Sequence, residues 1–198
     1  MIVPTDALCR QKCIMKEGSV RMSKKDKEQR KSELSRCICN LPKKMIDVHG
    51  SENVTEYLLH HLAAPECFNL SKAAYFVDNP DFDKLKGVVG YSKHEAYQTA
   101  NHWDQKDTFT KHMQEAEFNK AVRSLEQVSV HKNKQQFGEL VGQISKELGL
   151  SKPDHHVWKM KHENHGLLIF ELSDEQDREV VDEYLQASLY LFGFCPIF

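Results

Sequence analysis

The 198-residue chain is long enough to enclose one hydrophobic core, and its 40% apolar and 28% charged residues match folded soluble domains. Its longest nearly apolar stretch, Ser188 to Phe198, falls well short of the roughly 20 residues that span a bilayer. The N-terminus shows no basic region followed by an apolar one, so a cytoplasmic location is expected. The net charge of −2 conceals an asymmetry: residues 1–40 carry ten Lys or Arg and five acids, against seventeen and twenty-four in the remainder.

In chain order, the first unit is a basic, Cys-bearing arm over residues 1–42, followed by a globular domain over 43–198. The arm's segment Ser23 to Leu34 is rich in helix formers and almost free of apolar residues, so it buries no face by itself. Its charged stretch, residues 10–36, suits a nucleic acid, an acidic protein partner, or docking on the chain's own acidic body. Interleaved aromatics are missing, which argues against base stacking by the arm.

Met45 to Val48 reads as a short strand. Ser51 is an N-cap candidate for a helix with Val54, Tyr57, Leu58, His61 and Leu62 at helical spacing, stopped by Pro65. Ala73–Asp78 and Leu85–Gly90 flank the turn-rich Asn79-Pro-Asp-Phe-Asp83 and predict an antiparallel hairpin. Ser92-Lys-His-Glu95 has the form of a capping box opening a helix to about Trp103, and a longer helix is expected from Asp107 to about Gln127.

Phe137, Leu140, Val141, Ile144 and Leu148 form a helical stripe ended by Gly149. A second hairpin is expected from Val157–Lys161 and Gly166–Leu172, joined by His162-Glu-Asn-His165. Ser173-Asp-Glu-Gln176 then has the form of a capping box for a last helix carrying Val181, Tyr184, Leu185, Ser188 and Phe192. Helices interleaved with hairpins, without a regular βαβ repeat, predict an α+β fold. Its sheet is antiparallel or mixed, with several helices packed on it.

Four of the six cysteines, Cys9, Cys13, Cys37 and Cys39, fall in the arm as C-x3-C and C-x-C. A segment too polar to fold by burial but holding four soft ligands is a candidate zinc or iron–sulfur site, the C-x-C lying in an extended loop. Neither spacing is the familiar C-x2-C, and the alternatives are ordinary unligated thiols or a disulfide or redox pair. Cys67 and Cys195 stand in apolar surroundings and are expected to be buried, with Cys67 also a weak candidate nucleophile.

His60 is expected on the flank of its helix and His61 among the core positions. His112 and Glu115, three apart on a helix, share a face, and His162 and His165 sit in one turn. Either pair needs further partners to hold a metal or move a proton.

Motifs for nucleotide loops, the Ser nucleophile elbow and the zinc-protease helix are missing. The leading expectation is a binding or regulatory protein whose arm holds a metal and contacts a partner. The alternatives are an enzyme of hydrolase or nuclease type using His or Cys residues of the body, and an assembly protein docking through its apolar C-terminal tail.

Overall fold

The computed structural model describes residues 23–50, 53–98, 101–129, 134–173 and 178–195. Helices α1 (Lys24–Cys39), α2 (Leu41–Asp47) and α3 (Val54–Ala63) precede a hairpin of β1 (Leu70–Asn79) and β2 (Lys84–Ser92). Helices α4 (Lys106–Glu115) and α5 (Glu117–Ser124), strand β3 (Glu126–Val128) and α6 (Lys134–Glu147) follow. The second hairpin, β4 (Asp154–Lys159) and β5 (His165–Leu172), leads to α7 (Arg178–Ser188) and a final 3-10 turn, Leu189–Phe194. The five strands form one sheet in the order β3-β2-β1-β5-β4, and each neighbouring pair is antiparallel.

Both expected hairpins form, and the two central strands show why the fold holds. Period-two alternation sends Ala73, Tyr75 and Val77 to one face of β1 and Ala74 and Phe76 to the other, and all five are buried. In β5, Leu168 and Phe170 share the first face while Leu167 and Ile169 share the second. Its continuous apolar run is therefore that of a strand covered on both sides. On the first face Tyr57, Leu58, Leu62, Phe109, Leu185 and Phe192 complete the larger core; on the second, Val122, Leu140, Val141, Ile144 and Leu148 complete the smaller one. Leu34 and Leu41 belong to the larger core, so residues on both sides of position 42 bury their apolar side chains together.

Several local expectations are corrected. Met45 to Ile46 lies in α2 rather than a strand, because Pro42 stands in the helix's first turn and Leu41 and Met45, four apart, are buried together. After Ser92 there is a three-residue 3-10 turn, Lys93–Glu95, in place of a helix. Glu95 does not reach back to Ser92; its carboxylate accepts the N–H of Phe118 at 3.0 Å and so caps the start of α5.

The long helix expected over 107–127 breaks at Ala116 into α4 and α5, and its last residues belong to β3. Ser51 and residues 174–177, which carry the other expected caps, lie outside the described residues. Among the described residues no helix is long and apolar enough to cross a membrane.

Candidate functional site: a cysteine–histidine cleft

Helix α1 presents Arg30, Leu34 and Cys37 along one side, at spacings of four and three residues. Leu34 is buried, Arg30 Nη2 donates to the carbonyl of Cys67, and Cys37 comes to rest half-buried beside α3. On a neighbouring side Lys27 and Lys31 pair with Glu179 and Glu183 of α7 at 2.8 and 4.0 Å. Two of the arm's cations are thus engaged by the chain's own acids.

Helix α3 supplies His61, and the turn after it supplies Cys67, whose N–H donates to Ala64 at 2.9 Å. Cys37 Sγ lies 3.4 Å from His61 Nε2. On the opposite side of that ring, Trp103 Nε1 donates to His61 Nδ1 at 3.3 Å. An indole N–H only donates, and a neutral imidazole has one proton to place. With Nδ1 accepting, the proton sits on Nε2 and points at Cys37, whose sulfur is held as an acceptor.

Cys67 lines the same cleft as Cys37. The Cys37 pKa is lowered from 9.0 to about 5, through the neighbouring Cys67 thiol first, then the His61 bond and the Lys44 charge, against the opposing effect of burial. Cys67 is driven the other way: the neighbouring Cys37 sulfur, burial and the Cys37 charge all push its thiol well up. These effects favour the thiolate at partly exposed Cys37 and the protonated thiol at buried Cys67.

These groups open on a cleft of about 630 Å³ that is also lined by Lys44, Tyr91, Lys93, Tyr97, His102 and Trp103. Lys44 Nζ stands 5.8 Å from the centre of the Trp103 ring. On the cleft's inner wall His60 and His102 are largely buried, their rings 4.7 Å apart and packed against Phe109. Burial is the main cause that lowers their pKa values from 6.5, to about 4 for His60 and about 3 for His102. His60 Nε2 accepts the Tyr97 N–H at 3.0 Å and so ties the 93–98 segment to α3.

The two neighbouring histidines therefore exchange the places expected for them. His60 is the buried one, and His61 is the half-exposed one facing the cleft. Helix α3 packs on the sheet and α2, and Phe109 of α4 covers His60, while His61 faces Cys37 of α1 at the cleft.

Among the other candidates, Cys39 is exposed and Cys9 and Cys13 lie outside the described residues. The C-x-C pair ends a helix instead of lying in an extended loop, which turns its two side chains about 200° apart around the axis. His112 Nε2 contacts the Glu95 carbonyl oxygen at 2.7 Å, while Glu115 stands 3.9 Å from Lys111, so that pair is directed to separate partners. His162 is exposed in its turn and His165 opens β5. Among the described residues no three His, Cys, Asp or Glu side chains are grouped so as to hold a metal.

Cys195 is buried, as expected, and so is Phe192 of the apolar tail, 4.5 Å from the ring of Tyr75. Phe194 is exposed, and Ile197 and Phe198 lie outside the described residues.

Sequence reasoning missed Trp103 and Lys44 and treated Cys37 as one of the arm's four cysteines, without its histidine partner. The signal that was there is the stripe of Arg30, Leu34 and Cys37, which marks one side of α1 for burial. No family model matches the chain, and no curated protein or solved structure matches it either.

Proposed function

We propose that the chain is a thiol-dependent enzyme whose Cys37 thiolate attacks an electrophilic sulfur or oxygen in the cleft. The observation that carries this reading is the directed chain of hydrogen bonds from Trp103 through His61 to Cys37. It gives the sulfur a fixed donor, and Lys44 adds positive charge nearby. A sulfur so placed is a nucleophile at neutral pH.

The same arrangement favours displacement at sulfur or oxygen over hydrolysis. Hydrolysis of an acyl or phosphoryl bond needs a histidine that takes up a proton and returns it to a leaving group. An imidazolium carries a proton on both nitrogens, and the Trp103 N–H opposes one on Nδ1. Attack by a preformed thiolate on an S–S or O–O bond needs no such uptake.

The test is site-resolved alkylation of the full chain with iodoacetamide at pH 6, read by peptide mass spectrometry. Cys37 is expected to react at least about tenfold faster than exposed Cys39, because an ordinary thiol is almost wholly protonated there. A His61→Ala variant is expected to slow Cys37 alone. Equal, slow reaction at both cysteines overturns the proposal. So does stoichiometric zinc or an iron–sulfur chromophore whose removal is needed before Cys37 reacts, since Cys37 would then belong to the four-cysteine site.

A further inference from the structure

Two cysteines from elements far apart in sequence, lining one cleft beside His61, call for an explanation beyond a single nucleophile. Cys67 is fully buried while Cys37 is partly exposed, and Arg30, on the same side of α1 as Cys37, donates to the Cys67 carbonyl. A substrate entering the cleft therefore meets Cys37 first. We infer that Cys67 is the resolving thiol of a two-cysteine redox centre, which reduces a hydroperoxide or a disulfide and closes a Cys37–Cys67 disulfide. This rests on the reading of Cys37 as the nucleophile.

With a hydroperoxide ROOH, the Cys37 thiolate attacks the terminal oxygen and breaks the O–O bond. The oxygen passes to sulfur as Cys37–SOH, and the alkoxide leaves and takes a proton from water as ROH. The Cys67 sulfur then attacks the Cys37 sulfur and forms the S–S bond; hydroxide leaves and combines with the Cys67 proton as water. With a disulfide RSSR, Cys37 forms a mixed disulfide and expels RS⁻. Cys67 then displaces the second RS⁻, and its proton is taken up by the thiolate released. In either case two electrons leave the protein and the oxidant is reduced.

The order of events is built into the pair. While Cys37 is a thiolate, Cys67 keeps its proton, because the neighbouring sulfur and its negative charge both raise the Cys67 pKa. Once Cys37 is oxidised to a neutral adduct, both effects disappear. What remains are burial, which opposes ionisation, and the Arg30 charge and the Phe68 backbone, which favour it. Cys67 thus becomes nucleophilic only after the first step, which prevents two adjacent thiolates from competing for one substrate.

The experiment treats the full reduced chain with hydrogen peroxide in one arm and hydroxyethyl disulfide in the other, then blocks remaining thiols and maps the peptides. It compares wild type with Cys67→Ser and, in case a buried hydroxyl impairs folding, Cys67→Ala, each checked by circular dichroism. In wild type a Cys37–Cys67 disulfide is expected, with two hydrogens lost. In the variants, Cys37 sulfenic acid or the mixed disulfide is expected to persist roughly tenfold longer or more, since the intramolecular attack is gone. The faster arm names the oxidant.

Adducts on Cys37 that persist equally in wild type and variants, or a disulfide to another cysteine, overturn the assignment of Cys67 and leave Cys37 as a nucleophile. A Cys37 inert to both oxidants and to iodoacetamide overturns the underlying reading as well.

Discussion

Trp103 donates its indole N–H to His61 Nδ1, and that direction of donation decides what Cys37 receives 3.4 Å beyond the other ring nitrogen. The tautomer follows from the donor-only character of indole. In a nitrogen-15 correlation spectrum at pH 7, His61 is expected to show a protonated Nε2 and an unprotonated Nδ1. In Trp103→Phe the constraint is gone and both neutral tautomers are expected to populate. A wild-type spectrum with the proton on Nδ1 would mean that Cys37 donates to the ring, contrary to the arrangement described.

The pH dependence of Cys37 is expected to have two signatures. Its alkylation rate should rise through a midpoint near about 5 and stay level to pH 8, where an ordinary thiol is still gaining reactivity. Stability should follow the same titration. The folded value lies below the ordinary 9.0, so the unfolded chain binds the extra proton between those pH values. The contribution is fully present above about 9 and is lost as pH falls towards about 5. Cys67, whose folded value is raised, works in the opposite sense above 9.0. Urea unfolding from pH 5 to 9 is expected to show stability rising with pH in wild type and a flatter profile in Cys37→Ser.

Acid sensitivity is expected to come from the histidines on the cleft's inner wall. His60 and His102 are buried neutral, with folded values of about 4 and about 3 against 6.5. Above pH 6.5 neither folded nor unfolded histidine binds a proton, so they contribute nothing there. As pH falls from 6.5 towards about 3, the unfolded chain takes up protons that the folded chain refuses, and stability drops. Replacing His102 by Phe, among the rings of Tyr57, Trp103 and Phe109, is expected to remove part of this loss. The recovery is on the order of a few kcal/mol at pH 4, measured against wild type by urea unfolding. An unchanged acid limb would place the sensitivity elsewhere.

The sheet and its two hairpins were legible in the sequence because their signals are local: alternation, apolar runs, and turn residues such as Asn79, whose side chain accepts the N–H groups of Asp81 and Phe82 at 3.0 and 3.3 Å. The break at Ala116 was not legible, since it depends on α5 lying flat against β2. The site was hidden for a similar reason. Cys37, His61 and Trp103 are separated by 24 and 42 residues, and Cys37 and Cys67 reach one cleft only through the packing of α1 against the body. A cysteine pair spaced as C-x-C looks like a ligand pair until one of its members is seen to face a histidine.

Two glycines test the packing of the layers from opposite sides. A Cβ on Gly87 would stand 1.8 Å from the carbonyl oxygen of Val122, which is backbone and has no room to yield, whereas at Gly142 nothing lies within 4 Å. Gly87→Ala is expected to push α5 off the sheet at a cost of about 3 kcal/mol or more. Gly142→Ala, on the exposed side of α6, is expected to stabilise the fold by roughly 0.5–1 kcal/mol through helix propensity alone. Thermal melts of the two variants should move in opposite directions; a neutral Gly87→Ala would show that α5 is not pressed against β2.

Asn119 joins three elements through one buried side chain. Its Nδ2 donates to Glu56 Oε1 at 3.1 Å and to the Met113 carbonyl at 2.6 Å, while its Oδ1 accepts the Gly90 N–H at 2.9 Å. Helices α3 and α4 and strand β2 are thereby held to the start of α5. Glu56, itself buried, keeps Arg123 at 2.9 Å as its other partner, so its charge is balanced from one side only when Asn119 is absent. Asn119→Ala leaves a buried N–H and carbonyl unsatisfied, each worth about 1–3 kcal/mol, and is expected to destabilise by roughly 2–4 kcal/mol. Asn119→Asp tests the polarity: the carboxylate still accepts from Gly90, but it faces Glu56 and loses both donations. Its penalty is therefore expected to exceed that of alanine at pH 7 and to shrink as the pair is protonated in acid. Equal penalties for the two variants at all pH values would mean that the bond to Glu56 contributes nothing, and that Asn119 matters only for the backbone groups it satisfies.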